Sequence, residues 1–141
     1  MGEWYGRSRT EYAMDFRILG PLEVDLETSL VSLGGAKQRA LLAVLLLNAN
    51  EIVSSDRLIE ALWEDDPPES AQNALQVHVS QLRKVLGRSR LQTQAPGYRL
   101  DVDAEELDLE RFQCLRREGK LNEALSLWRG AALAEFVSTE S

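Results

Sequence analysis

From Ser70 to Leu100 the chain carries five basic residues and not one Asp or Glu, in a protein whose formal net charge is -7. Partway along this stretch the apolar period changes from helical to alternating. At about 100° per residue, Leu75, Val79, Leu82 and Leu86 fall on one stripe. Ser70 stands where an N-cap belongs, and Gly87 closes the pattern. "LQTQAPGYRL" then reads as two short strands around Ala95-Pro96-Gly97, a β-hairpin signature. A helix that gives one stripe to a core and leads directly into a basic hairpin admits few architectures.

The charge is sorted along the rest of the chain. Residues 1–36 hold three basic and six acidic residues, and Lys37 and Arg39 follow with no acid before Glu51. One arginine faces seven acids from Glu51 to Glu69, and five basic residues face ten acids from Asp101 to Ser141. Such blocks imply a polyanion-facing surface in a chain that repels polyanions elsewhere.

Upstream, "FRILGPLEV" reads as two strand segments about a Gly20-Pro21 break and "SLVSLGG" as a further strand, which together predict an N-terminal antiparallel sheet. Ala36 to Leu47 is a helix former that is apolar nearly all round after Arg39, so it belongs at the centre of a core. Asn48 to Asn50 stop it. Ser55 is the expected N-cap of a second helix, Asp56 to Trp63, which "EDDPPES" ends with two prolines. At Asp108 a new helical stripe of Leu109, Phe112 and Leu115 begins. It ends at Gly119, and Leu121, Ala124, Leu125 and Trp128 start another. The expected class is therefore α+β: a sheet, three helices and a hairpin, then the opening of an all-helical region. The expected divisions are an extension over residues 1–13, a winged-helix domain over 14–103 and a helical region over 104–141.

The face of the third helix away from its leucine stripe carries Asn73, Val77, Ser80 and Lys84, with Gln76 and Arg83 on one shoulder and Gln81 on the other. A solvated face would mix charges of both signs, and a helix-binding face would be apolar. Amides, a hydroxyl and cations bond to base edges and phosphates, and Val77 could meet a thymine methyl. Arg88, Arg90 and Arg99 bracket the hairpin and extend the positive charge. Three helices followed by a basic wing is a helix-turn-helix variant. Base contacts are expected from Asn73, Gln76, Val77 and Ser80, and phosphate contacts from Arg83, Lys84, Arg88, Arg90 and Arg99.

"HVSQLRKVLG" followed by "LQTQAPGYRL" resembles the recognition helix and wing of OmpR-type winged-helix domains. The stretch "LGGAKQRALLAVLLLNANEIVSSDRLIEALWEDDPPESAQNALQVHVSQLRKVLG" resembles more closely still the Streptomyces antibiotic regulatory protein (SARP) family, over about Phe16 to Val102. "LDLERF" and "EALSLWRGAAL" are similar to the first helices of that family's tetratricopeptide-like activation domain. The resemblance implies a transcriptional activator that binds direct repeats in promoter DNA with two protomers side by side, recruits RNA polymerase and controls an antibiotic biosynthesis cluster. By the same resemblance, the loop that faces polymerase would be Glu64 to Glu69. Its Glu64, Asp65, Asp66 and Glu69 are then candidates for the sigma or alpha subunit, or form a plain solvated loop.

Other classes find little support. One cysteine, Cys114, and one histidine, His78, with scattered carboxylates make no nucleophile-base set, so no enzyme, catalytic residue, cofactor or metal site is expected. His78, at the edge of the buried stripe, is read as packing or a phosphate contact. Trp63 and Trp128 are expected in the core, and Cys114 half-buried. The longest apolar run, "ALLAVLLL", is eight residues against the roughly 20 that span a bilayer, and no secretory signal opens the chain, so no membrane partner is expected and a cytoplasmic, DNA-associated protein is. The rival readings are a winged helix that binds an acidic protein partner, and a repressor or architectural DNA binder.

Overall fold

The computed structural model describes residues 14–26 and 29–136. In chain order its elements are β1 (Met14–Arg17), β2 (Glu23–Leu26), β3 (Ser29–Leu30), α1 (Ala36–Leu47), β4 (Ile52–Ser54), α2 (Ser55–Trp63), α3 (Ala71–Leu86), β5 (Leu91–Gln94), β6 (Gly97–Leu100), α4 (Asp108–Arg117) and α5 (Leu121–Leu125), with short 3-10 turns at Ala104–Glu106 and Ala134–Phe136. The described residues divide into two compact units: residues 32–102, and those up to 31 together with those from 103 on. The expected extension over residues 1–13 lies outside the described residues.

The 32–102 unit is a winged helix, and its core explains its elements. α1 buries Leu41, Leu42, Ala43, Leu45 and Leu46, and packs on α2 and α3, which is what its apolar circumference demands. α2 contributes Leu58 and Leu62, and α3 contributes Leu75, Val79, Leu82 and Leu86. α3 ends at Gly87, whose φ of 100° suits glycine and whose N–H donates to the Arg83 carbonyl at 2.8 Å. The cap of α2 is Ser54, not Ser55. Ser54 has extended backbone and its hydroxyl accepts from the Arg57 N–H at 3.1 Å, so the helix starts one residue earlier than the sequence suggests.

The wing has a third strand, β4, that no sequence pattern announces. The sheet order is β4-β6-β5, with β6 central and both pairings antiparallel. Asn50 builds this arrangement. At φ 68° it turns the chain out of α1, its side-chain amide donates to the Val102 carbonyl at 3.0 Å, and its side-chain oxygen accepts from the Val102 N–H at 2.9 Å. The carboxamide thus prolongs the β4–β6 ladder by one backbone-like pair.

In the other unit β1, β2 and β3 form the expected antiparallel sheet, although β3 is only two residues long. These strands fall in one compact unit with the helices that follow residue 103. Buried carboxylates are the reason. Asp108, at the first turn of α4, accepts the Ile18 N–H at 2.9 Å and the Leu19 N–H at 3.0 Å, and Glu106 accepts the Met14 N–H at 3.3 Å and the Asp103 N–H at 3.0 Å. Phe16 also bridges Leu107 in parallel. After α4, α5 stops at Leu125, so of its expected stripe only Ala124 is buried. Trp128 is therefore 39% exposed, set edge-on to Phe112 at 5.7 Å, and Cys114 is exposed, both contrary to expectation.

Gly97 sits where β6 passes β4, and a Cβ there would overlap the Val53 carbonyl oxygen. Gly97→Ala should cost about 1–3 kcal/mol or more of stability, read as a lowered denaturation midpoint. A variant as stable as the parent would contradict the close strand approach.

Candidate nucleic-acid interface

Burial of the leucine stripe turns the opposite face of α3 outward. Asn73, Gln76, Val77, Ser80 and Lys84 are all exposed, and Val77 is exposed to 56% although it is apolar. The helix has 16 residues, about 24 Å at 1.5 Å per residue, enough to lie along a major groove. No acidic residue lies in its first turn, and Arg83 and Lys84 lie in its last.

The arginines divide into two groups. Arg88 is exposed and, with Ser80, Arg83, Lys84, Leu91, Gln92 and Thr93, lines an open cleft of about 450 Å³ between α3 and the wing. No carboxylate lines this cleft. Arg90 is 3% exposed and its guanidinium donates to the Asp101 carbonyl at 3.3 Å, so it stands in the fold and not on the wing surface expected from its charge. Arg99 is half-buried, paired with Asp101 at 2.7 Å and donating to the Gln94 side-chain oxygen at 2.6 Å. Arg83 donates from Nε to the Leu91 carbonyl at 2.8 Å and from its terminal nitrogen to the Thr93 hydroxyl. The structure thus brings together Asn73, Gln76, Val77, Ser80, Lys84 and Arg88 as outward groups, and ties Arg83, Arg90 and Arg99 to partners within the fold.

Beside α3 lies a cluster that the sequence pattern does not group. Lys37 stands 5.9 Å from the centre of the Trp63 ring, and that ring lies 6.1 Å from His78, whose Nδ1 is 3.4 Å from the Gln38 side-chain oxygen. Trp63 is half-buried here and not enclosed in the core. Burial, with the Lys37 charge second, holds the His78 pKa below its ordinary value of 6.5. These residues come from α1, α2 and α3, so no local spacing could have joined them.

Glu64, Asp65, Asp66 and Glu69 are all exposed in the loop between α2 and α3, and Glu64 adopts φ 52° as α2 ends. Among the described residues no group of three or more His, Cys, Asp or Glu could hold a metal ion, and no helix is long and apolar enough to cross a membrane.

Residues 31–100 match the family described as "Transcriptional regulatory protein, C terminal". The chain is 36% identical over 150 residues to the transcriptional regulatory protein MoaR1 of Mycobacterium tuberculosis, covering 92% of this chain and 48% of that protein. To the transcriptional regulatory protein EmbR of the same organism it is 38% identical over 151 residues, covering 93% and 39%. It spans about half or less of the length of these relatives. A solved structure, M. tuberculosis EmbR in complex with a low-affinity phosphopeptide, superposes with a TM-score of 0.79 at 37% identity, over 89% of this chain and 38% of that one.

Because the fold disfavours protonated His78, stability should be fully present above pH 6.5 and fall as the pH drops from there through the lowered folded-state pKa. Denaturant unfolding at pH 7 and pH 5 should show that loss in the parent and a smaller one in His78→Gln. Equal pH dependence in both proteins would remove His78 from the account.

Proposed function

The chain belongs to the SARP family of transcriptional regulators and contains its OmpR-type winged-helix domain, and we propose that it activates transcription by binding promoter DNA through α3 and the wing. The observation that carries this reading is the exposed face of α3. Asn73, Gln76 and Ser80 surround an exposed Val77, with Lys84 and Arg88 at the C-terminal end and no carboxylate in the adjoining cleft. Such a face has little use in a core or in plain solvent, and matches the donors, acceptors and methyl groups of the major groove.

The division of labour follows from the chemistry of each group. Asn73 and Gln76 can offer paired donor and acceptor atoms to adenine, Ser80 can serve any base edge, and Val77 suits a thymine methyl. Lys84 and Arg88 neutralise phosphates and set register. The acidic flanks penalise loose binding, since phosphate attraction is confined to one face. Family membership extends the reading to direct repeats occupied by two protomers, to RNA polymerase as partner and to an antibiotic biosynthesis cluster as target. It also extends to action in the cytoplasm, on the nucleoid. The exposed acids of the 64–69 loop supply a surface for a basic patch on the sigma or alpha subunit.

Duplexes selected from random sequence and presented as one, two or no copies of a direct repeat provide the test, by gel shift at several salt concentrations. Binding should tighten with two correctly spaced repeats and weaken as salt rises, with the modest slope that few phosphate contacts give. Lys84→Ala should weaken all sites alike and lower the salt slope by about one. Gln76→Ala should cost about tenfold on the selected site and relax preference there, with the slope unchanged. Binding indifferent to sequence and salt would move the α3 face to an acidic protein partner.

A further inference from the structure

β5 is an edge strand. It pairs with β6 on one side only, and α3 packs against it. An open edge with unpaired carbonyls is free to twist or pair elsewhere unless something covers it. Here one side chain does so. Arg83 reaches from the last turn of α3 to the Leu91 carbonyl, 2.8 Å from its Nε, and to the Thr93 hydroxyl two residues on. A guanidinium is suited to this task, because its planar fork presents several donors in fixed directions and grips two acceptors at once. The same residue forms part of the wall of the basic cleft between helix and wing.

We propose that Arg83 is a positioning residue, which fastens the open edge of the wing to the recognition helix so that both meet DNA at one fixed angle, and that it is not the phosphate contact its charge suggests. This deepens the DNA-binding reading and rests on it. Asn73, Gln76, Val77 and Ser80 lie on α3 and Gln92 to Gly97 form the outer part of the wing, so a change of angle between them separates two sets of contacts that must engage together. Misplacement by a fraction of an ångström to an ångström weakens such paired recognition even though no contacting group has been removed. Lysine keeps the charge but cannot hold both acceptors.

The test uses Arg83→Lys, Arg83→Met, Thr93→Val and the Lys/Val double variant of the full chain. Two readouts are taken: affinity for the selected duplex as a function of salt, and amide hydrogen exchange of residues 91–94 without DNA. A positioning role predicts that Arg83→Lys and Thr93→Val each weaken binding by about three- to tenfold, and that the double variant is no weaker than the worse single one. It also predicts that Arg83→Met leaves the salt slope unchanged and that exchange at 91–94 quickens in every variant. Thr93 is exposed, so its variant folds even if changes at Arg83 disturb the domain. Full affinity in Arg83→Lys, a salt slope lowered by about one in Arg83→Met, additive losses in the double variant or unchanged exchange would each overturn the proposal. If the parent chain binds no duplex, the DNA reading fails, and hydrogen exchange alone still decides whether Arg83 fastens the wing.

Discussion

The burial of Leu75, Val79, Leu82 and Leu86 within the winged-helix core, where α3 packs on α1, fixes the rotation of α3, and every statement about the surface depends on that rotation. Each such side chain gains about 1.5–3 kcal/mol on burial. No exposed polar contact on the other face competes with that, so the outward set of Asn73, Gln76, Val77, Ser80 and Lys84 is a consequence of the core. α1 can serve as the common packing partner because it is apolar nearly all round, with α2 and α3 both against it.

The wing is held by a second layer of constraints that is polar. Asn50 extends the sheet through Val102, Gly97 admits the close passage of β4, and Arg83 closes the outer edge of β5. Much of the positive charge of the 70–100 stretch is spent in this way. Arg99 pairs with the Asp101 carboxylate and Arg90 is buried and donates to that residue's backbone carbonyl, which leaves Lys84 and Arg88 as the outward cations at the helix-wing junction. In the proposed DNA complex, few phosphate contacts shift the weight of recognition onto base edges, and the acidic blocks elsewhere in the chain push the balance in the same direction.

Strong periodicity made much of this legible in the sequence. The bounds of α1 and α3, the closing Gly87, the hairpin about Ala95-Pro96 and the solvent-facing side of α3 all follow from period, propensity and turn chemistry. What remained hidden depended on long-range pairing. β4 is three residues, too few to show a period, and it is held by its pairing with β6 and by an asparagine bonding to a valine 52 positions away. Arginine roles were hidden for a similar reason: charge is written in the sequence, but whether a guanidinium meets solvent or a carbonyl is decided by the fold. Arg90 shows this most plainly. The grouping of β1 to β3 with α4 was equally silent, because buried Asp108 and Glu106 look in sequence like ordinary acids at a helix start.

Amide chemical-shift mapping of the labelled chain, titrated with a selected duplex, tests the central claim most directly. The account predicts that the perturbed residues form one surface, residues 73–88 of α3 and its end together with 91–97 of the wing, with the 64–69 loop little changed. Shifts centred on that acidic loop or on residues 103–136, with α3 silent, would contradict it.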